Sequence, residues 1–332
     1  MAPPSNQVIH RRKLGTIPYT AGGRASIELD RDGVLLQLRL RLKYTITNGG
    51  SAAPTGLKFL FPFRLMRRIE VIVGGRDTVW SISGEQLAAK VWYENQVAPY
   101  GNITAVTAGA GSTTSVDLVL PLDFTLPLGV RPDDTGLDTR GIGQLACYVT
   151  WASGASDLFG TTNSATISNV TCSLEGKYML NIPNNRVYLV RALDTMSRQL
   201  TGTASNWDMT LDRGTGLVYR SFTTFTTVDD VGVSDILDPG SIRVEAGSFI
   251  FVNQDAVQIK AENAVELNLG STILTGVYHL PLTAFGQLVN GINTGPLDAD
   301  LKVIFDPATL SATSGTNMIN VLREAVRPLK LA

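Results

Sequence analysis

The sequence predicts an all-β protein made of two tandem eight-stranded jelly-roll β-sandwiches with one clear short helix. Three observations carry that prediction. Short segments of the first half recur in the second half in the same order. Strand patterns dominate both halves. The chain, at 332 residues, is long for one core and comfortable for two.

The recurrence has four members. IEVIVGG at 69–75 matches IRVEAGS at 242–248, and VDLVLPLDF at 116–124 matches VYHLPLTAF at 277–285. LACYVTW at 145–151 matches LKVIFD at 301–306, and SATISNVTCSLE at 164–175 matches GTNMINVLREAV at 315–326. The spacing between partners shrinks steadily from Ile69/Ile242 through Leu120/Leu280 to Val170/Val321. That drift is what a duplicated unit with shorter loops in its second copy produces.

Individual elements follow from periodicity. In GVLLQLRLRLKYTIT at 33–47, Leu36, Leu38, Leu40 and Leu42 share one face, and Gln37, Arg39, Arg41 and Lys43 share the other. This is a half-buried strand. RRIEVIVGG followed by DTVWSIS reads as a hairpin through a Gly-Gly turn. Ser83-Gly-Glu-Gln86 has capping-box spacing, and Leu87, Ala88, Val91 and Trp92 follow at helical spacing, so a helix runs from there to about Gln96, ahead of Pro99. AVQIKAENAVE at 256–266 is its weaker counterpart. GLVYRSFTTFTTV at 216–228 is β-branched and aromatic, hence a strand. NMINVLREAV fits a helical stripe, but its match to 164–175 argues for a strand, which we prefer. Small-residue stretches at 103–115, 136–144 and 152–168 are ordered surface loops. The junction between copies falls within 180–190 at Pro-Asn-Asn. The resulting organisation is a basic N-terminal arm at 1–13, a first roll at 14–182 and a second at 183–332.

Composition narrows the function classes. Apolar content of 44% and charged content of 17% fit a globular chain with ample core and few surface charges, as expected where much surface is buried against partners. No signal-peptide core and no membrane-span-length apolar run occurs, so the protein is expected to be made soluble in a cytosol. Cys147 and Cys172 are expected to be free buried thiols there, and the sequons at Asn102 and Asn169 unused. The net charge of −1 is uneven: residues 1–27 carry +4 through Arg11, Arg12, Lys13 and Arg24, residues 313–332 carry +2, and the rest carries −7. Basic ends on an acidic body suit contact with an anionic partner.

Catalytic patterns are scarce. The chain has two histidines, His10 and His279, so a Ser-His-Asp system has little to draw on. His279, in VYHLPL, reads as a strand-face residue. No nucleophile elbow, HExxH pair or zinc-spaced cysteine pair is present. The histidine cluster of a metal-binding bicupin is missing too. GIGQLA at 141–146 fits a dinucleotide fingerprint formally, but a strand rather than a helix follows it. The acid pairs Asp133-Asp134, Asp229-Asp230, Asp235 with Asp238 and Asp298 with Asp300 could bind calcium or act as a carboxylate couple, and turn formation explains them more simply. Arg64, Arg67, Arg68 and Arg76 flank a strand near Phe61 and Phe63 and read as a charged sandwich face. An alternative function is glycan binding by a viral spike or lectin-like sandwich, with Trp151, Trp207 and Tyr100 as stacking platforms.

IEVIVGG with its capped helix, the two LPL segments, and INVLR at 319–323 resemble the double jelly-roll major capsid proteins of tailless icosahedral viruses. In size the chain is similar to those of bacteriophages with an internal membrane, the tectiviruses and corticoviruses. The resemblance implies a non-enzymatic virion protein without cofactor. It implies a homotrimer of pseudo-hexameric outline that tiles a shell over an internal membrane. Its partners would be itself, neighbouring trimers, minor capsid and vertex proteins and possible lipid, with no sequence-specific nucleic acid binding. His10, Arg11, Arg12 and Lys13 would then contact the membrane from the inner face of the shell.

Overall fold

A computed structural model describes residues 8–101, 106–126, 135–181, 189–200, 207–232, 240–283, 291–306 and 316–329. The chain forms two compact units. Unit 1 comprises Met1–Val91, Ala98–Ala192 and Pro328–Ala332, and unit 2 comprises Trp92–Val97 and Leu193–Arg327.

Unit 1 contains β1 (Val8–Ile17), β2 (Arg24–Glu28), β3 (Val34–Thr47), β4 (Thr55–Leu57), β5 (Met66–Val73) and β6 (Asp77–Ile82), then α1 (Gly84–Asn95, as far as Val91; its last turn counts with unit 2). After α1 come β7 (Thr113–Asp123), β8 (Leu137–Asp138), β9 (Leu145–Trp151), β10 (Phe159–Thr161) and β11 (Thr166–Leu180). One sheet has the order β1-β11-β3-β7, with β8 also on β3. The other runs β2-β9-β5-β6. Their pairings are antiparallel throughout. The short strands β4 and β10 pair with each other.

The local chemistry explains these elements. In β3, Leu38, Leu40 and Leu42 are fully buried and Arg41 and Lys43 are exposed, as the alternation predicts. The turn between β5 and β6 places Gly74 and Gly75 at φ of 60° and 70°. They are the central residues of a β-turn in which Arg76 N–H donates to Val73 O at 3.2 Å, and a turn of that hand needs positive φ at both, which glycine adopts without penalty. Helix α1 begins with the predicted capping box: Gln86 N–H donates to Ser83 Oγ and Ser83 N–H to Gln86 Oε1, both at 3.4 Å. It ends where Gln96 takes a left-handed conformation, φ 58°.

Unit 2 repeats the plan. It holds β12 (Leu189–Leu200, from Leu193 on), β13 (Trp207–Thr210), β14 (Val218–Val228), β15 (Val231–Gly232), β16 (Ser241–Ala246) and β17 (Phe249–Asp255). Next come α2 (Ala256–Glu266), β18 (Val277–Pro281), β19 (Ile292–Asn293), β20 (Leu301–Asp306) and β21 (Asn317–Pro328). β12, β21, β14 and β18 are successive neighbours, with β15 and β19 also on β14, and the second sheet has the order β13-β20-β16-β17. Each strand position of unit 1 recurs: β3 between β11 and β7 corresponds to β14 between β21 and β18. The core joins both sheets, with Phe222, Ile319 and Val321 from one and Ile242, Val244, Val303 and Phe305 from the other. This is sheet-on-sheet packing.

Two details refine the sequence reading. Residues 317–326 are strand, part of β21, paired along β14 from Asn317↔Val228 to Val326↔Val218. The weaker helix forms as α2, nearly as long as α1. Its buried face is Ala256, Ile259 and Asn263, while Val257 and Val265 face solvent. Spending apolar residues on the wet face blurred its periodicity.

Candidate functional site

The residues proposed from sequence for anion contact lie in β1. Val8–Lys13 is the first half of that strand rather than a free arm, and it pairs with β11 from Val8↔Leu180 to Lys13↔Glu175. Strand alternation splits the basic group. Arg11 and Lys13 are exposed, whereas His10 and Arg12 turn to the other, half-buried side. Arg12 reaches Asp30 at 3.1 Å and Asp32 at 2.6 Å, and its Nε donates to His10 Nδ1 at 2.8 Å. Its charge is therefore balanced locally.

Arg11 and Lys13 continue a polar face across the sheet. Arg11 lies opposite Lys177, Lys177 opposite Gln37, and Gln37 opposite Asp123. Lys13 lies opposite Glu175 and Glu175 opposite Arg39, and Lys43 lies opposite Asp117. Opposed residues project from the same face. The face also holds Arg41, whose Nε and Nη2 donate to the two oxygens of Asp117 at 3.0 and 2.7 Å. Lys43 Nζ is 3.4 Å from the same carboxylate. The hydrogen bond from Arg41, helped by Lys43, holds the Asp117 carboxyl below its ordinary pKa. With Arg11, Lys13, Lys177, Arg39, Arg41 and Lys43 against Asp117, Asp123 and Glu175, this face stays basic. The alternation of β3 was legible in sequence, but its neighbours across the sheet were not.

The other candidates become structural. His279 is buried in β18, with Nδ1 2.8 Å from Thr223 Oγ1 and its ring 5.8 Å from that of Tyr93. Asn263 of α2 grips its backbone: Nδ2 donates to His279 O at 2.7 Å, and His279 N–H donates to Oδ1 at 3.0 Å. Nothing in the sequence singled out Asn263. Its place at helical spacing after Ala256 and Ile259 was the available signal. Asp229 and Asp230 occupy positive-φ turn positions, and Asp229 Oδ1 accepts from Thr316 N–H at 2.8 Å. Asp300 lies 3.2 Å from Arg213. Asp133, Asp134, Asp235 and Asp238 lie outside the described residues. Among the described residues no group of three or more His, Cys, Asp or Glu side chains converges as a metal site would.

Arg67 pairs with Asp157 at 2.7 Å, Arg64 donates to the Asp157 carbonyl at 3.1 Å, and Arg68 lies 3.2 Å from Glu70. These arginines are a charged sandwich face, as their setting suggested. Of the three aromatic platforms of the glycan reading, Trp151 and Trp207 are buried and Tyr100 is exposed. Trp151 Nε1 donates to the Pro18 carbonyl at 2.8 Å, and Arg198 covers the Trp207 ring. Core positions for two of them disfavour that alternative. Cys147 and Cys172 are free and buried.

No family model matches this sequence, and no curated protein matches it. Solved structures do. The chain is similar over 97% of its length, and 97% of the other's, to the major capsid protein of Sulfolobus turreted icosahedral virus, with a TM-score of 0.71 and 14% identity. It is similar to the major capsid protein P2 of bacteriophage PM2, with TM-score 0.61, 13% identity and 97% and 98% of the two chains covered. It is also similar to the Faustovirus major capsid protein, with TM-score 0.64, 9% identity and 99% and 91% covered. At such identities the likeness is one of fold, and it spans both units. The chain has the double jelly-roll fold of these proteins.

Proposed function

We propose that this chain is the major capsid protein of an icosahedral virus, placed in the virion shell and acting by assembly rather than catalysis. The observation that carries the reading is the tandem repetition of one eight-stranded roll. It is matched over 97% of the chain by capsid proteins. In this reading the chain divides into a basic segment at 1–13 and rolls at 14–182 and 183–332. Three copies form a pseudo-hexameric block with closed threefold symmetry, and such blocks tile the shell beside minor capsid and vertex proteins. Burial of surface between blocks is the functional event. Over an internal membrane, the exposed Arg11 and Lys13 supply the anionic-lipid contact, at about 1 kcal/mol per basic residue near the surface, while Arg12 stays with Asp30 and Asp32.

Sedimentation and electron microscopy of the full chain test this directly. The expected result is a trimer, with hexagonal blocks or shells at higher concentration. A stable monomer at high concentration refutes it.

A further inference from the structure

The repeat makes β6 and β17 counterparts, and likewise β1 and β12. In unit 1 the far side of β6 is closed. The first residues of β12, which belong to unit 1, lie beside it: Trp80 Nε1 donates at 3.0 Å to the carbonyl of Arg191. Arg191 is buried, and its guanidinium donates to the carbonyls of Asp123 and Thr125 at 2.9 and 3.1 Å. In unit 2 the counterpart β17 is the last strand of its sheet among the described residues. Phe249 and Ile250 there are 61% and 51% exposed, and Phe251 and Val252 are half-buried. Four consecutive apolar residues on an open edge form a template for another strand.

The strand that would fit is on the page. β1 is also an edge strand, open on the side away from β11 among the described residues, with Val8 and Ile9 47% and 53% exposed. Its sequence repeats that of the β12 region: NQVIHRR at 6–12 and NRVYLVR at 185–191 share Asn, Val and the final Arg at the same places. Arg12 thus holds the sequence position of Arg191. Charge agrees. Unit 1 carries 20 Lys and Arg against 13 Asp and Glu, and unit 2 carries 8 against 16. Unlike units of different copies attract, and like units repel.

The geometry points to a head-to-tail contact in which β1 of a second copy lies against β17, in the place that the unit 1 residues around Arg191 take against β6. The contact is heterologous, because each copy offers one β17 and one β1, and a closing rotation turns it into a ring. It rests on the capsid reading and says which edges join the copies.

Paired cysteines test it. Lys13→Cys and Asn253→Cys are placed together in the full chain, both at exposed positions, one beside Arg12 and one beside Val252, which stands opposite Val244 as Trp80 stands opposite Val71. The native Cys147 and Cys172 are buried and do not compete. A short bismaleimide is expected to give covalent oligomers ending at a closed trimer in the double variant and none in either single variant. Ile250→Lys is expected to weaken association at least about tenfold, whereas Val265→Lys, an exposed apolar residue of α2, leaves it unchanged. Double-variant protein that assembles but does not cross-link, or unaltered association of Ile250→Lys, overturns the contact and leaves the capsid reading standing. Wild-type protein that stays monomeric refutes both.

Discussion

Replacing Asn263 by Ala removes the two hydrogen bonds that tie α2 to β18. Asn263 is 3% exposed, and the groups that it serves are the N–H and carbonyl of His279, itself buried. Alanine fills neither role, and two buried backbone groups lose these partners. An orphaned buried donor or acceptor costs about 1–3 kcal/mol, so the pair is worth about 2–6 kcal/mol. That is a large share of the 5–15 kcal/mol typical of a domain. Urea unfolding followed by tryptophan fluorescence, to which Trp207 of the unit 2 core contributes, reads the loss as a lower midpoint. Asn263→Asp separates hydrogen bonding from packing because the shape is retained. A protonated carboxyl can donate to the His279 carbonyl and accept from its N–H, but an ionised one cannot donate. Burial beside a carbonyl raises the folded-state pKa of this aspartate above its unfolded value of about 3.9. The stability that the acid form restores is therefore fully present below the unfolded value and lost as pH rises through the folded one. The gap between Asn263→Asp and wild type should widen from acid to neutral pH. An Asn263→Ala variant within about 0.5 kcal/mol of wild type, or a gap independent of pH, refutes the reasoning.

Other outcomes follow from the same geometry. Burial pushes the Cys172 thiol up to about 12 and that of Cys147 higher still, so neither should react with a thiol reagent at neutral pH until the protein is unfolded; rapid labelling of native protein contradicts this. Asp117 and Asp208 have lowered pKa values, chiefly through hydrogen bonds from Arg41 and Lys302 respectively. Each contributes stability above the unfolded carboxylate value of about 3.9, and that contribution disappears as pH falls through the folded value. The deficit of Asp117→Asn relative to wild type should therefore shrink in acid titrations of stability. Replacing Arg11 and Lys13 by Gln should reduce co-sedimentation with anionic vesicles, whereas equal binding by the variant removes β1 from the membrane reading.

Much of the architecture was legible because it depends on local periodicity. The alternation of Leu38, Leu40 and Leu42 with Arg39, Arg41 and Lys43 needs no partner to be read. The Ser83 cap closes within one helical turn. The four recurring segments all fall on corresponding strands. Where reading stopped short, the deciding contacts were distant in sequence. Val8–Lys13 is a strand because β11, at the far end of unit 1, offers its edge. Trp151 and Trp207 are core residues, although an aromatic ring reads the same in a core or on a surface. In β14, Thr223, Thr224 and Thr226 are all buried, so polar residues on a strand did not mark a wet face. Asn263 reads as an ordinary polar helix position until β18 is laid beside it.

The sequence by itself determined that there are two rolls, that matched segments recur in them in the same order, and that histidine chemistry has almost no material to work with. Repetition and alternation are properties of the chain alone. Only the tertiary structure decided which basic residues face solvent and which edges stay open. Arg11 and Lys13 stand outward while Arg12 is held by Asp30 and Asp32, and among the described residues β6 has a neighbour on its far side while β17 has none. Those outcomes depend on register and on strand neighbours brought together from far along the chain, which no local pattern encodes.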